Sequence, residues 1–109
     1  MARDEGLELV VAEDLEGIAD LRTVRMFGGL AWMLRGNLLC GARHDGILCR
    51  LGKGNEGWTA SVPQAAPMVM GDRPMEGWVR LSPEGAADDA LRARFLTAAR
   101  AFVESLPPK

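Results

Sequence analysis

Between residues 25 and 51 the chain reads RMFGGLAWMLRGNLLCGARHDGILCRL, and two tight-turn signals inside this stretch constrain the fold more than any other feature. Gly36-Asn37 suits a type II′ turn and Asp45-Gly46 a type I′ turn, and each is flanked by apolar, strand-like runs. Three short strands joined by two hairpins follow, a β-meander. If both connections are two-residue turns, symmetry about each turn fixes which residues lie opposite one another. One face then collects Phe27, Gly29, Ala31, Met33, Cys40, Ala42, His44, Ile47, Cys49 and Leu51, mostly small or apolar, and is the better candidate for the side beneath helices. The other collects Leu30, Trp32, Leu34, Leu39, Gly41, Arg43, Leu48 and Arg50, with Trp32 opposite Gly41. Large apolar residues mixed with arginines are unusual on a face meant only for water.

The flanking segments supply the cover. Over residues 4–21, Leu7, Val11, Leu15 and Ile18 recur every three or four positions with acidic residues on the other side, which predicts one amphipathic helix. Gly17 inside it costs about 1 kcal/mol relative to Ala and points to close packing there. After Leu51 the glycines loosen the chain, and Asn55, Pro63 and Pro67 predict a short irregular helix. Met68 to Met70, a turn near Gly71-Asp72, and Met75 to Leu81 read as a second hairpin. Its second strand puts Met75, Gly77, Val79 and Leu81 on one side and Glu76, Trp78 and Arg80 on the more polar one. Ser82-Pro83 then opens a last helix, with Ser82 as N-cap, Pro83 at the first helical position, and Leu91, Phe95, Ala99, Phe102 and Val103 at helical spacing. Asp88 and Asp89 lie toward its positive end and Arg92, Arg94 and Arg100 further along.

At 109 residues the chain fits a single domain, residues 1–109, large enough to bury a core without a disulfide or metal. A net charge of -2 gives no general attraction to nucleic acid or acidic membranes. The opening MARDEGLELV lacks the apolar core of a leader peptide, and no apolar run approaches the roughly 18 residues of a membrane-spanning helix. With only Cys40 and Cys49 present, the expectation is a cytoplasmic protein with reduced thiols and no membrane contact.

From Met26-Phe27-Gly28-Gly29 onward, an ordered set of features resembles the N-terminal domain of the TfoX/Sxy family. An amphipathic helix precedes Arg25 to Gly29, a Gly-centred turn falls at Gly36, and a strand ends at Asp45-Gly46. A Leu-basic step follows near Leu48 to Leu51, then Gly-x-x-Pro-Met-x-Gly-aromatic from Gly71 to Trp78, and a Pro-initiated last helix. The likeness spans nearly the whole length. It implies a two-layer α+β fold of roughly α-β-β-β-α-β-β-α order, an antiparallel sheet packed against helices, in a bacterial cytoplasmic setting. The family includes regulators of natural competence in which a second, helical domain follows; here the resemblance covers the first domain alone, read as stand-alone. The segment from Trp58 to Pro67 is richer in proline and alanine than the family, and Arg50 stands where lysine is more usual. The family pattern carries no catalytic residue across.

Several residues invite sharper readings. Cys40, His44 and Cys49 share one face in the derived register and are zinc-type ligands, but no fourth ligand and no C-x-x-C spacing accompany them, so buried core thiols are the preferred account. Gly28-Gly29 lacks the glycine spacing of a phosphate cradle and precedes a strand, which favours a bulge or close backbone approach seating Met26 and Phe27 in the core. Asp88 and Asp89 point about 100° apart on a helix and are poor acid-base partners. No catalytic, cofactor or metal site is expected, and no enzyme.

The exposed aromatics carry more weight. Leu30, Trp32, Leu34 and Leu39, with Trp78 from the second hairpin, form an apolar patch rimmed by Arg43, Arg50 and Arg80. Either the last helix or the irregular segment wraps over this patch, or it is open. If it is open, a protein contact or a homodimer fits the tryptophan and arginine content. Single-stranded nucleic acid is the alternative, with bases on the aromatics and phosphates on the arginines, against the acidic balance.

Overall fold

A computed structural model describes residues 4–26 and 28–109. Asp4 caps the first helix, α1 (Glu5–Asp14), its carboxylate accepting the Leu7 N–H at 3.0 Å, and Leu7 and Val11 are buried beneath it. The helix stops well short of residue 21. Gly17 sits at φ +88, a left-handed conformation that ends helices rather than continuing them, and Asp20 is also left-handed at φ 63. Leu21–Met26 is instead an edge strand, β1, paired along its whole length with the next strand. Helical spacing through Ile18 thus gave way to backbone pairing with a long neighbour.

The meander follows as β2 (Gly29–Leu34), β3 (Asn37–Arg43) and β4 (Gly46–Arg50). A short 3₁₀ turn, Gly57–Ser61, fills the irregular segment, then β5 (Ala65–Met70) and β6 (Arg73–Leu81) form the second hairpin. The six strands make one antiparallel sheet in the order β1-β2-β3-β4-β6-β5, so the second hairpin enters with β6 against β4. Two helices complete the chain, α2 (Pro83–Ala87) and α3 (Asp89–Glu104). The expected α+β class, an antiparallel sheet packed against helices, is what forms. Phe27, expected in the core, lies outside the described residues.

The expected last helix is two. Ser82 caps the first piece as expected, its Oγ accepting the Gly85 N–H at 3.2 Å with Pro83 in the first turn. At Asp88 the backbone turns extended (φ -81, ψ 111), and its carboxylate accepts the Leu91 N–H at 3.1 Å, so Asp88 caps α3 rather than riding inside one long helix. Arg92 joins these pieces from inside. Its guanidinium donates to Asp14 at 2.6 Å, to the Ala86 carbonyl at 2.8 Å and to Asp89 at 2.8 Å, tying α1, α2 and α3 together.

Helices cover one face only. Phe95, Leu96, Ala99 and Val103 from α3 and Leu7, Val11 and Leu15 from the N-terminal segment pack on Trp32, Leu34, Leu39, Cys40, Ile47, Cys49, Leu51, Val79 and Leu81. Trp58 extends this layer, its ring 4.9 Å from that of Phe95 and capped by the Arg94 guanidinium at 4.3 Å.

Candidate functional site

Strand pairing within the meander decides which side chains escape the helices. The first is Arg35-Gly36, not Gly36-Asn37: Leu34 pairs with Asn37, and Arg35 (φ 51) and Gly36 (φ 84) are both left-handed, the type I′ geometry. The turn thus lies one residue earlier than expected, which moves each β2–β3 partner by two positions and by itself keeps every side chain on its expected face. The pairing then slips by one residue between Trp32 and Met33, leaving Leu39 unpaired as a bulge. This slip exchanges the faces of β2 relative to β3, and Leu39 and Cys40 are both fully buried. Trp32 pairs with Cys40, not Gly41, and is 2% exposed. The second turn also moves by one residue, to His44-Asp45, which again shifts partners by two positions and preserves the faces. Cys40, Ala42, Ile47, Cys49 and Leu51 therefore lie in the core as expected.

The expected patch is corrected accordingly. Trp32, Leu34 and Leu39 belong to the helix-covered core and are unavailable to a partner. Leu30 packs partly against that core and also reaches the other side. Arg43, Trp78 and Arg80 do lie on the uncovered face. Arg50, the cross-strand partner of Trp78, stays near its rim, with its guanidinium carbon 5.3 Å from the Trp78 ring centre and 5.8 Å from that of Phe102.

In place of the expected patch the uncovered face holds a trough. Ala31, Gly41, Leu48 and Arg80 are in register across β2, β3, β4 and β6. Small residues at two of those positions leave a hollow of about 350 Å³, walled by Leu38, Met26, Met68, Met75 and Trp78. Met75 was expected on the side of Val79 and Leu81. Gly77 between them is left-handed (φ 88) and breaks the alternation, which lets Met75 and Trp78 share the trough. Met26 and Met68 stand on the two edge strands, β1 and β5, and border the same hollow, which no short-range signal announces.

One end of the trough is polar. Arg43 grips Asp45 with two hydrogen bonds of 2.6 Å, and Arg80 Nη1 donates to the same carboxylate at 3.0 Å. The Arg43 hydrogen bonds hold the Asp45 carboxyl below the usual carboxylate range, with the charges of Arg80 and Arg43 adding to them. Burial pushes the Arg80 guanidinium down despite Asp45. Its second nitrogen, Nη2, points to Met68 Sδ at 3.4 Å, a weak acceptor.

The thiols are elsewhere. Cys40 and Cys49 face each other across β3 and β4 in the core, while His44 is exposed in the turn. Burial raises both thiols, Cys49 to about 12, which removes the thiolate a nucleophile or metal ligand needs. Among the described residues no three His, Cys, Asp or Glu side chains are grouped to hold an ion, and no helix is long and apolar enough to cross a membrane. No family model matches this chain, and neither a curated protein nor a solved structure does.

Proposed function

We propose that this protein is a non-enzymatic regulatory or interaction module, resembling the N-terminal domain of TfoX/Sxy regulators, that acts in the bacterial cytoplasm through protein contacts on the sheet face opposite its helices. One observation carries the reading: the uncovered face bears an apolar trough walled by Leu48, Trp78 and methionines, where a sheet facing only water carries polar side chains. Tryptophan and arginine are the residues on which contact energy concentrates, and methionine side chains adapt to a partner's shape. The hollow is concave, so the fitting occupant is a convex apolar element of another protein; two identical troughs do not fill one another. Single-stranded nucleic acid has less support, because Arg43 and Arg80 both turn to Asp45 and Arg50 faces aromatic rings.

The test is co-purification from the native host with three baits: the natural chain, Leu48→Asp in the trough, and Leu9→Asp on the outer side of α1, where Leu9 is already exposed. Bands shared by the natural chain and Leu9→Asp but lost with Leu48→Asp support the reading. Identical bands from all three overturn it, and sedimentation at several concentrations separates a second copy from a different partner.

A further inference from the structure

We infer that the trough is itself a binding site for a small amphiphilic anion, an apolar chain or ring system of roughly twelve carbon atoms whose single anionic group meets Arg80. This goes beyond the protein-contact reading and does not rest on it. Size comes first. An apolar cavity of about 150 Å³ accepts one benzene, so 350 Å³ accommodates a little more than twice that. The walls come second: Leu48, Met26, Met68, Met75 and Trp78 give water few polar partners, and thioethers adjust to an irregular ligand.

The polar end selects the headgroup. Two guanidinium groups share one carboxylate there, Arg43 through two hydrogen bonds and Arg80 through one, which leaves a formal charge of +1 beside the apolar hollow. Arg80 is the group poised to change partners. Its Nη2 faces Met68 Sδ at 3.4 Å, and a ligand carboxylate there replaces a weak contact with a charge-assisted one. The Arg80 side chain is only 20% exposed, so the pairing forms where water screens it little. A cationic headgroup meets repulsion at the same point, and an uncharged one gains nothing from it.

Titration calorimetry on the full chain with decanoate, 1-decanol and decylammonium, each below its micellar concentration, tests this. Decanoate is expected to bind about tenfold tighter than decanol, the size of one charge-assisted hydrogen bond, and decylammonium weakest. Arg80→Met is expected to bring decanoate down to the affinity of decanol, and Leu48→Asp to abolish binding of both. Absence of decanoate binding, equal affinity for all three probes, or an unchanged decanoate affinity in Arg80→Met overturns the inference. Should Arg80→Met not fold, Asp45→Asn decides. Removing the competing carboxylate is expected to tighten decanoate severalfold, and an unchanged or weaker affinity overturns the proposal. Co-purified protein bands play no part in these outcomes, so either reading can fail alone.

Discussion

Ile47 and Leu48 are neighbours on β4, yet Ile47 has no exposed surface beneath the helices while Leu48 stands half-buried in the trough on the opposite side. The two faces they represent differ in how they are filled. On the covered side, large side chains from strand and helix interlock: Phe95, Leu39, Leu51 and Leu81 all lie at less than 2% exposure. On the other side, Ala31 and Gly41 leave space that the flanking methionines border but do not close. A sheet can therefore be apolar on both faces and still be stabilised mainly by one, because stabilisation follows area removed from water rather than composition.

The largest test of that contrast places charge at one tryptophan from each face of the sheet. Trp32→Asp places a carboxylate in the sealed core, and it is expected to abolish folding, a loss on the order of 5 kcal/mol or more. Trp78→Asp, at the trough wall, is expected to stay folded with native circular dichroism. If both variants unfold alike, the two faces are not energetically distinct.

Neighbour truncations sharpen the same comparison. Ile47→Ala is expected to cost about 3 kcal/mol in urea unfolding, because the covered side cannot collapse into the void. Leu48→Ala is expected to cost about 1 kcal/mol or less, since its site is already part solvent. Arg92→Met belongs with the larger group, at about 2 kcal/mol, because it strands the buried Ala86 carbonyl and the partly buried Asp14 carboxylate, whereas Asp89 is solvent-exposed.

Alkali probes the covered side without mutation. Cys40 and Cys49 stay protonated in the folded state well above the pKa of about 8.5 that a free thiol has when unfolded. The unfolded chain therefore loses these protons first. Stability from this source is complete below about pH 8.5 and is lost as pH rises toward about 12, by at most about 1.4 kcal/mol per pH unit for each thiol. Cys49→Ala is expected to flatten that slope in urea melts across the window. In the native protein both thiols are expected to stay silent toward Ellman's reagent at mildly alkaline pH, and rapid reaction of either would contradict the packing.

Much of the covered side was legible in the sequence because alternation is local. Cys40, Ala42, Ile47, Cys49 and Leu51 needed only a hairpin whose parity survives a one-residue shift of its turn. The turn before β3 shifts by one residue too, to Arg35-Gly36, and nothing near Arg35 announces a left-handed arginine, but that shift alone keeps the faces of β2. The faces of β2 are exchanged by the Leu39 bulge, which periodicity has no means to express. Arg43, Trp78 and Arg80 were correctly placed away from the helices, while the methionine walls depend on β6 joining β4 and on the kink at Gly77, both outcomes of long-range packing. Arg92 read as an ordinary helix charge; only the break at Asp88 turns it inward.

The smallest expected effect is on the trough floor. A methyl group added at Gly41 would lie 3.3 Å from the Leu30 carbonyl oxygen, tight enough to require a shift of a few tenths of an ångström. Against that, replacing a mid-strand glycine recovers about 0.5–1 kcal/mol of chain entropy. These terms nearly cancel, so Gly41→Ala is expected to unfold within about 0.5 kcal/mol of the natural chain. It should also weaken decanoate binding, because the new methyl occupies the hollow that the ligand needs. A loss of stability above about 1.5 kcal/mol would mean that the floor is packed as closely as the helix side, and the distinction between the two faces would then rest on exposure alone.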